Sequence, residues 1–101
     1  MELERDASRG AEAQAILNSA IFRDACEKVQ QGVFDAFAQI DPKDLAGLQE
    51  QRIKLRCLAD VMRELQTVMQ TGQLARAELE QAKTLKERVV DKTRRLVRGV
   101  F

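Results

Sequence analysis

Two cysteines, one run of cations and a few acidic pairs are the residues of this chain with chemical potential. Cys26 and Cys57 lie far apart and form no CxxC pair. A zinc site built on them would need carboxylates to complete it, at spacings unlike those zinc proteins use. The cysteines lie fifteen residues before Asp41 and fifteen after Pro42. In a hairpin folded at that point they should face each other, both on apolar stripes. A disulfide is then geometrically accessible, and two small buried hydrophobes in a reducing compartment is the preferred reading. The sequence holds no histidine. That removes the usual general base, proton shuttle and commonest metal ligand together. Asp41 and Asp44 are explained by helix capping, and Glu2, Glu4 and Asp6 by a solvated end. No two carboxylates are paired with a nucleophile or a metal site at helical spacing. The expectation is a protein that is not an enzyme and holds no cofactor or metal.

The cations gather late in the chain. Lys83, Lys86, Arg88, Lys92, Arg94, Arg95 and Arg98 stand among only two acidic residues, Glu87 and Asp91. Residues 1–72 carry nine basic against twelve acidic groups, and residues 73–101 eight against four, within an overall formal charge of +1. Such a segment suits three uses. It can be a solvated face opposing the helix dipole, a contact for an acidic protein surface, or a phosphate contact. Nucleic acid is the weakest of the three. No aromatic residue interleaves the cations for base stacking, and no helix-turn-helix or RNP signature is present. Beyond the cations, Val100 and Phe101 form an apolar tail suited to a partner's groove or to packing on its own chain.

The elements that would position these residues are helices. Five glycines, one proline and 33% charged residues are the profile of long helices, without Trp or Tyr and with only four Phe. A chain of 101 residues bounds a single domain of modest stability. No stretch approaches the ~20 apolar residues of a membrane span. The acidic start, Met1 to Asp6, is unlike a signal peptide, so a cytoplasmic setting is expected.

The chain divides into segments 1–17, 18–72 and 73–101. Ala11 to Leu17 favours a short helix, with fraying expected up to Ser8. Asn18-Ser19 is a helix start. Phe22, Cys26, Val29, Val33, Phe37 and Ile40 follow on one helical face. Gly32 within that helix implies close packing against a neighbour, since glycine there costs about 1 kcal/mol relative to alanine. Asp41-Pro42 predicts a tight connection, with a helix ending near Ile40 and another beginning at Pro42. In the next helix Leu48, Leu55, Met62 and Met69 repeat every seven residues. Leu58 and Leu65 fill the second heptad position, and Leu45 leads in. Ile53, Val61 and Val68 form a second apolar line, so this helix should meet two partners. Thr71-Gly72 reads as a C-terminal stop. A fourth helix, from about Gln73 to Arg98, then carries Leu74 or Ala75, Leu79, Ala82, Leu85, Val89, Leu96 and Val100 on one stripe.

The expected fold is all-α: an antiparallel hairpin extended to a three-helix bundle, or a four-helix one, with coiled-coil-like packing. Phe22, Cys26, Val29, Val33 and Phe37 would be buried against Leu48, Leu55, Leu58, Met62 and Leu65. The last helix either folds back to complete the bundle or projects as an arm.

The run from Asn18 to Ala25, the Val33 to Phe37 segment, the long helix after it and the sequence Thr71-Gly72-Gln73-Leu74-Ala75 together resemble small helical proteins encoded in the head and structural gene clusters of tailed bacteriophages. The resemblance covers about residues 15–80. It implies a virion or assembly role as a head, portal or connector component bound in multiple copies. It also implies a path from the bacterial cytoplasm into the virion, and it brings no catalytic or ligand-binding residues. The implied partners are further copies of the chain or a phage structural protein. The alternative from the residues themselves is a small regulatory or inhibitory protein that engages an enzyme or nucleic acid through its basic helix.

Overall fold

The structure, a computed structural model, describes the backbone of residues 2–100 and the side chains of residues 2–96. It is all-α, with α1 at Glu2–Asn18, α2 at Ala20–Gln39 and α3 at Leu45–Val100. A single residue separates α1 from α2. Ser19 sits in extended backbone, and its hydroxyl accepts the Phe22 N–H at 3.3 Å, capping α2 as its residue type predicts. The Arg23 guanidinium donates to the Leu17 carbonyl at 3.1 Å, satisfying an orphan acceptor at the end of α1.

The turn into α3 is one step more elaborate than the sequence suggests. Asp41 accepts from the Lys43 N–H at 2.8 Å, which closes a small side-chain turn. Asp44 then accepts from the Gly47 N–H at 3.0 Å, so Asp44, not Asp41, caps α3, and the helix begins at Leu45 instead of Pro42.

Two expectations are overturned by one contact. α1 spans the whole acidic start instead of only Ala11 to Leu17, and α3 passes through Gly72 without a break. No described glycine has positive φ. A Cβ at Gly72 would lie 2.5 Å from the Gly10 Cα and 2.7 Å from the Asp6 carbonyl oxygen. A Cβ at Gly10 would lie 2.6 Å from the Gly72 Cα and 3.1 Å from the Val68 carbonyl oxygen. The two backbones touch, and only hydrogen fits between them. Gly72 is therefore a packing glycine, and its partner holds down a segment expected to fray. Asp6 lies against Gly72 while Gly10 lies against Val68, so the helices run antiparallel.

Buried residues follow that seam: Gly10 and Ala13 on α1, Val33 on α2, and Gln51, Gly72 and Ala75 on α3. Heptad spacing continues through it, with Leu48, Leu55, Met62 and Met69 on one line and Gln51, Leu58, Leu65, Gly72 and Leu79 on the other. α1 packs on α3 far more closely than α2 does. Phe22, Cys26 and Phe37 are accordingly only half-buried, and Val29 is exposed.

The molecule is an extended hairpin in which α1 and α2 lie in turn along α3, not a compact three- or four-helix bundle. It measures 88 × 23 × 17 Å, with a radius of gyration of 24.2 Å. A compact chain of this length would have a radius near 13 Å. Equal rise on both helices brings the start of α1 level with about residue 80 of α3. The segment expected to be a separate fourth helix is thus the continuation of α3, and its last ~20 residues project by roughly 30 Å.

Candidate interaction surfaces

Three surfaces come out of this layout: the projecting arm, the flank of the hairpin, and the residues that clasp it. The arm carries every described cation singled out above. Lys83, Lys86, Arg88, Lys92, Arg94 and Arg95 are all exposed, past the reach of α1. Arg98, Val100 and Phe101 lie outside the residues whose side chains are described. Thr84 and Thr93 donate to the carbonyls of Glu80 and Val89, each at 2.9 Å, so both hydroxyls are turned into their own helix.

Heptad arithmetic sorts the arm into faces. Ala82, Val89 and Leu96 recur every seven residues, and Leu85 lies beside them. Leu85, Val89 and Leu96 are 60%, 62% and 71% exposed. The positions flanking this stripe hold Lys86, Arg88 and Arg95, and Lys92 falls on the stripe's own edge. Glu87 and Asp91 fall on the opposite side. The arm is an amphipathic helix with Lys86, Arg88, Lys92 and Arg95 beside its apolar side and Lys83 and Arg94 turned further round, toward Glu87 and Asp91.

The same seven-residue line runs back along α3 through Ala75, which α1 buries, and half-buried Val68 to exposed Val61, at the edge of the seam. Val61 is 52% exposed and Val68 half-buried. Ile53, expected on the same line, is out of step. It precedes Val61 by eight residues and lies on the outer side of α3, opposite the seam. On α2 the matching flank carries Ile21, Ala25, Val29, Gly32 and Ala36. In two antiparallel helices, faces turned the same way from a shared seam lie on the same side of the pair. The apolar flank on this side belongs mainly to α2; on α3 the line holds Val61 and, seven residues back, Lys54, which pairs with Glu50 at 3.9 Å. The expected close neighbour of Gly32 is absent: nothing lies within 4 Å of a Cβ built there.

Cys26 and Cys57 fall at about the same level of the hairpin but do not face each other. Cys26 is half-buried near the seam, and Cys57, two residues past Leu55, is turned outward and exposed. Both are free thiols. Among the described residues no three His, Cys, Asp or Glu side chains gather as metal ligands, and no helix is long and apolar enough to cross a membrane. Two surface depressions, one lined by Lys83, Lys86 and Arg94 and the other by Gln81, Thr84 and Arg88, are shallow grooves along the arm itself.

The sequence reading missed Gly10 and Gln51. Gln51 is 9% exposed at a heptad position between Leu48 and Leu55, where counting by sevens from Leu58 and Leu65 identifies it. No family model, curated protein or solved structure matches the chain.

Proposed function

We propose that this chain is a non-enzymatic assembly protein that works in multiple copies through helix-mediated contacts. Its resemblance to phage head-cluster proteins makes the setting the head, portal or connector of a tailed phage particle. The observation that carries the reading is surface area. The chain exposes 8668 Å², whereas a compact monomer of 11.4 kDa exposes about 5,800 Å². The excess, about 2,900 Å², is well above the ~800 Å² that each partner contributes to a standard protein interface. Apolar flank and arm are both part of it, and monomeric proteins seldom leave such stripes open.

The test is the mass of the full chain in solution, by light scattering over a range of protein and salt concentrations. A defined oligomer is expected. A clean monomer at all concentrations refutes assembly through its own copies. A second reading, a regulatory protein that binds an enzyme or nucleic acid, is favoured by the segregation of cations on the arm. It predicts a monomer that retains a duplex oligonucleotide at low salt and releases it steeply as salt rises.

A further inference from the structure

Going beyond that reading, we infer that the arm lies flat on an anionic lipid bilayer. Leu85, Val89 and Leu96 enter the acyl boundary, and the cations beside them meet the headgroups. A monomer and an oligomer would both carry this surface. The stripe is open because nothing in the chain covers it: every residue from Gln81 to Leu96 is exposed, and α3 carries the arm past the end of α1. The arm would lie on the membrane without crossing it, since no described helix is long and apolar enough to span one.

The order of charges around the arm selects the occupant. With 3.6 residues per turn, Lys86 and Lys92 stand about 60° to either side of Val89, one on each border of the stripe. Lys83, Arg88 and Arg95 follow at about 100–120° and Arg94 at about 140°. The carboxylates of Glu80, Glu87 and Asp91 come last, at about 160–180°. Positive charge thus borders the stripe on both sides, and negative charge is confined to the face turned away from it. An anionic bilayer offers that same order: hydrocarbon beneath, phosphates level with both shoulders and water above. A duplex offers phosphates but nothing for the stripe, and no aromatic residue stands among the cations to stack on bases. A protein cleft would need two acidic rims at matching spacing, whereas a bilayer supplies both along the whole arm at any register.

The side chains nearest the stripe suit this placement. Lys86 and Lys92 have long apolar stems that can lie along the acyl boundary while their ammonium groups reach the phosphates. Thr93 is the uncharged polar residue on the stripe. Its hydroxyl already donates to the Val89 carbonyl at 2.9 Å, so it enters without an unpaired donor. Three large apolar residues make a shallow anchor, so attachment is reversible and depends on the cations.

The test is co-flotation of the full chain with vesicles of phosphatidylcholine alone, or of phosphatidylcholine and phosphatidylglycerol in equal parts. The parent should float with the anionic vesicles, leave them as salt rises, and stay largely free of the neutral ones. Lys86→Gln with Lys92→Gln should weaken binding about 25-fold, at about fivefold per cation near an anionic surface. Leu85→Ser with Val89→Ser keeps every cation and should weaken it about tenfold or more, because the stripe is lost. All four positions are exposed, and circular dichroism checks that each variant keeps the helical content of the parent. The chain has no tryptophan, so Val89→Trp and Thr84→Trp report on opposite sides of the arm. Emission should shift to the blue on anionic vesicles for Val89→Trp and hardly at all for Thr84→Trp. Full binding by the serine variant overturns the inference, because cations alone then hold the arm. An equal shift from both tryptophans overturns the orientation. A parent that ignores both kinds of vesicle overturns the inference outright; if it retains a duplex oligonucleotide instead, the cations serve nucleic acid. An oligomer that ignores vesicles refutes this surface and leaves the assembly reading standing.

Discussion

Gly72→Ala should destabilise the hairpin by about 2 kcal/mol, although the same change stabilises most helices. The new methyl would stand 2.5 Å from the Gly10 Cα, 2.7 Å from the Asp6 carbonyl oxygen and 3.1 Å from the Gly10 nitrogen. Ordinary contact begins near 3.4 Å, so the helices must part by about 0.9 Å. All three neighbours are backbone atoms, which cannot rotate aside. Overpacking costs about 1–3 kcal/mol, and rigid neighbours place this case at the upper end. Parting the helices also loosens Ala13 and Ala75, since a gap of that size forfeits part of each dispersion contact. Replacing glycine in a helix returns about 1 kcal/mol of propensity. Gly32→Ala is the matched control, because its methyl meets open space. At concentrations where the chain is monomeric it should stabilise by about 1 kcal/mol. Urea unfolding followed by circular dichroism reads both variants. A Gly72→Ala protein that gains stability as Gly32→Ala does would refute the contact between α1 and α3. Gly10→Ala combined with Gly72→Ala should cost less than the two single changes together, because helices already parted admit a second methyl cheaply.

Asp44→Ala removes the acceptor of the Gly47 N–H and should cost about 1 kcal/mol in the same unfolding assay; an unchanged midpoint would show that Asp41 or water caps α3 instead. Gln51→Leu replaces the one buried polar residue among the described positions and should stabilise by about 1 kcal/mol; a loss would mean that its amide fixes the register of the hairpin. Lys86→Glu with Arg88→Glu lies on the arm, beyond the reach of α1. It should move monomer stability by less than about 0.5 kcal/mol while reducing co-flotation with phosphatidylglycerol vesicles. Loss of stability in that variant would show that the arm contacts its own hairpin.

The parts of the fold legible in the sequence are those governed by neighbours along the chain. Ser19 caps as its residue type predicts, because its acceptor and the Phe22 N–H are three residues apart. Leu55, Leu58, Met62 and Leu65 face inward because helical periodicity is local. Gly72 was not legible, since a glycine after threonine suits a helix stop and a helix contact equally well. The difference lies in Gly10, which is remote in sequence. Glu2 and Glu4 in the first turn of α1 are exposed, as a solvated end should be; that the segment is helical rests on the same remote contact. Val29 lies on the predicted stripe but at its edge, and α2 stands too far from α3 to cover it. The cations of the arm were legible as a cluster. That Lys86, Arg88, Lys92 and Arg95 flank an apolar stripe emerged only once α3 proved continuous and one heptad count could be carried through it.

The Gly10–Gly72 contact also sets how the hairpin opens and shuts. The chain folds back at the Asp41–Asp44 turn, and closure from there must zip outward through the loosely packed α2 before it reaches the tightest contact at the far end. Loop entropy delays that last contact, because residues 10 and 72 must find each other across everything between them. Once formed, it traps the middle between two fastened ends, so α2 can bow away from α3 without the pair coming apart. Amide hydrogen exchange should therefore be slowest along the α1 stretch of the seam and faster in α2, the reverse of a hairpin that frays from its open end.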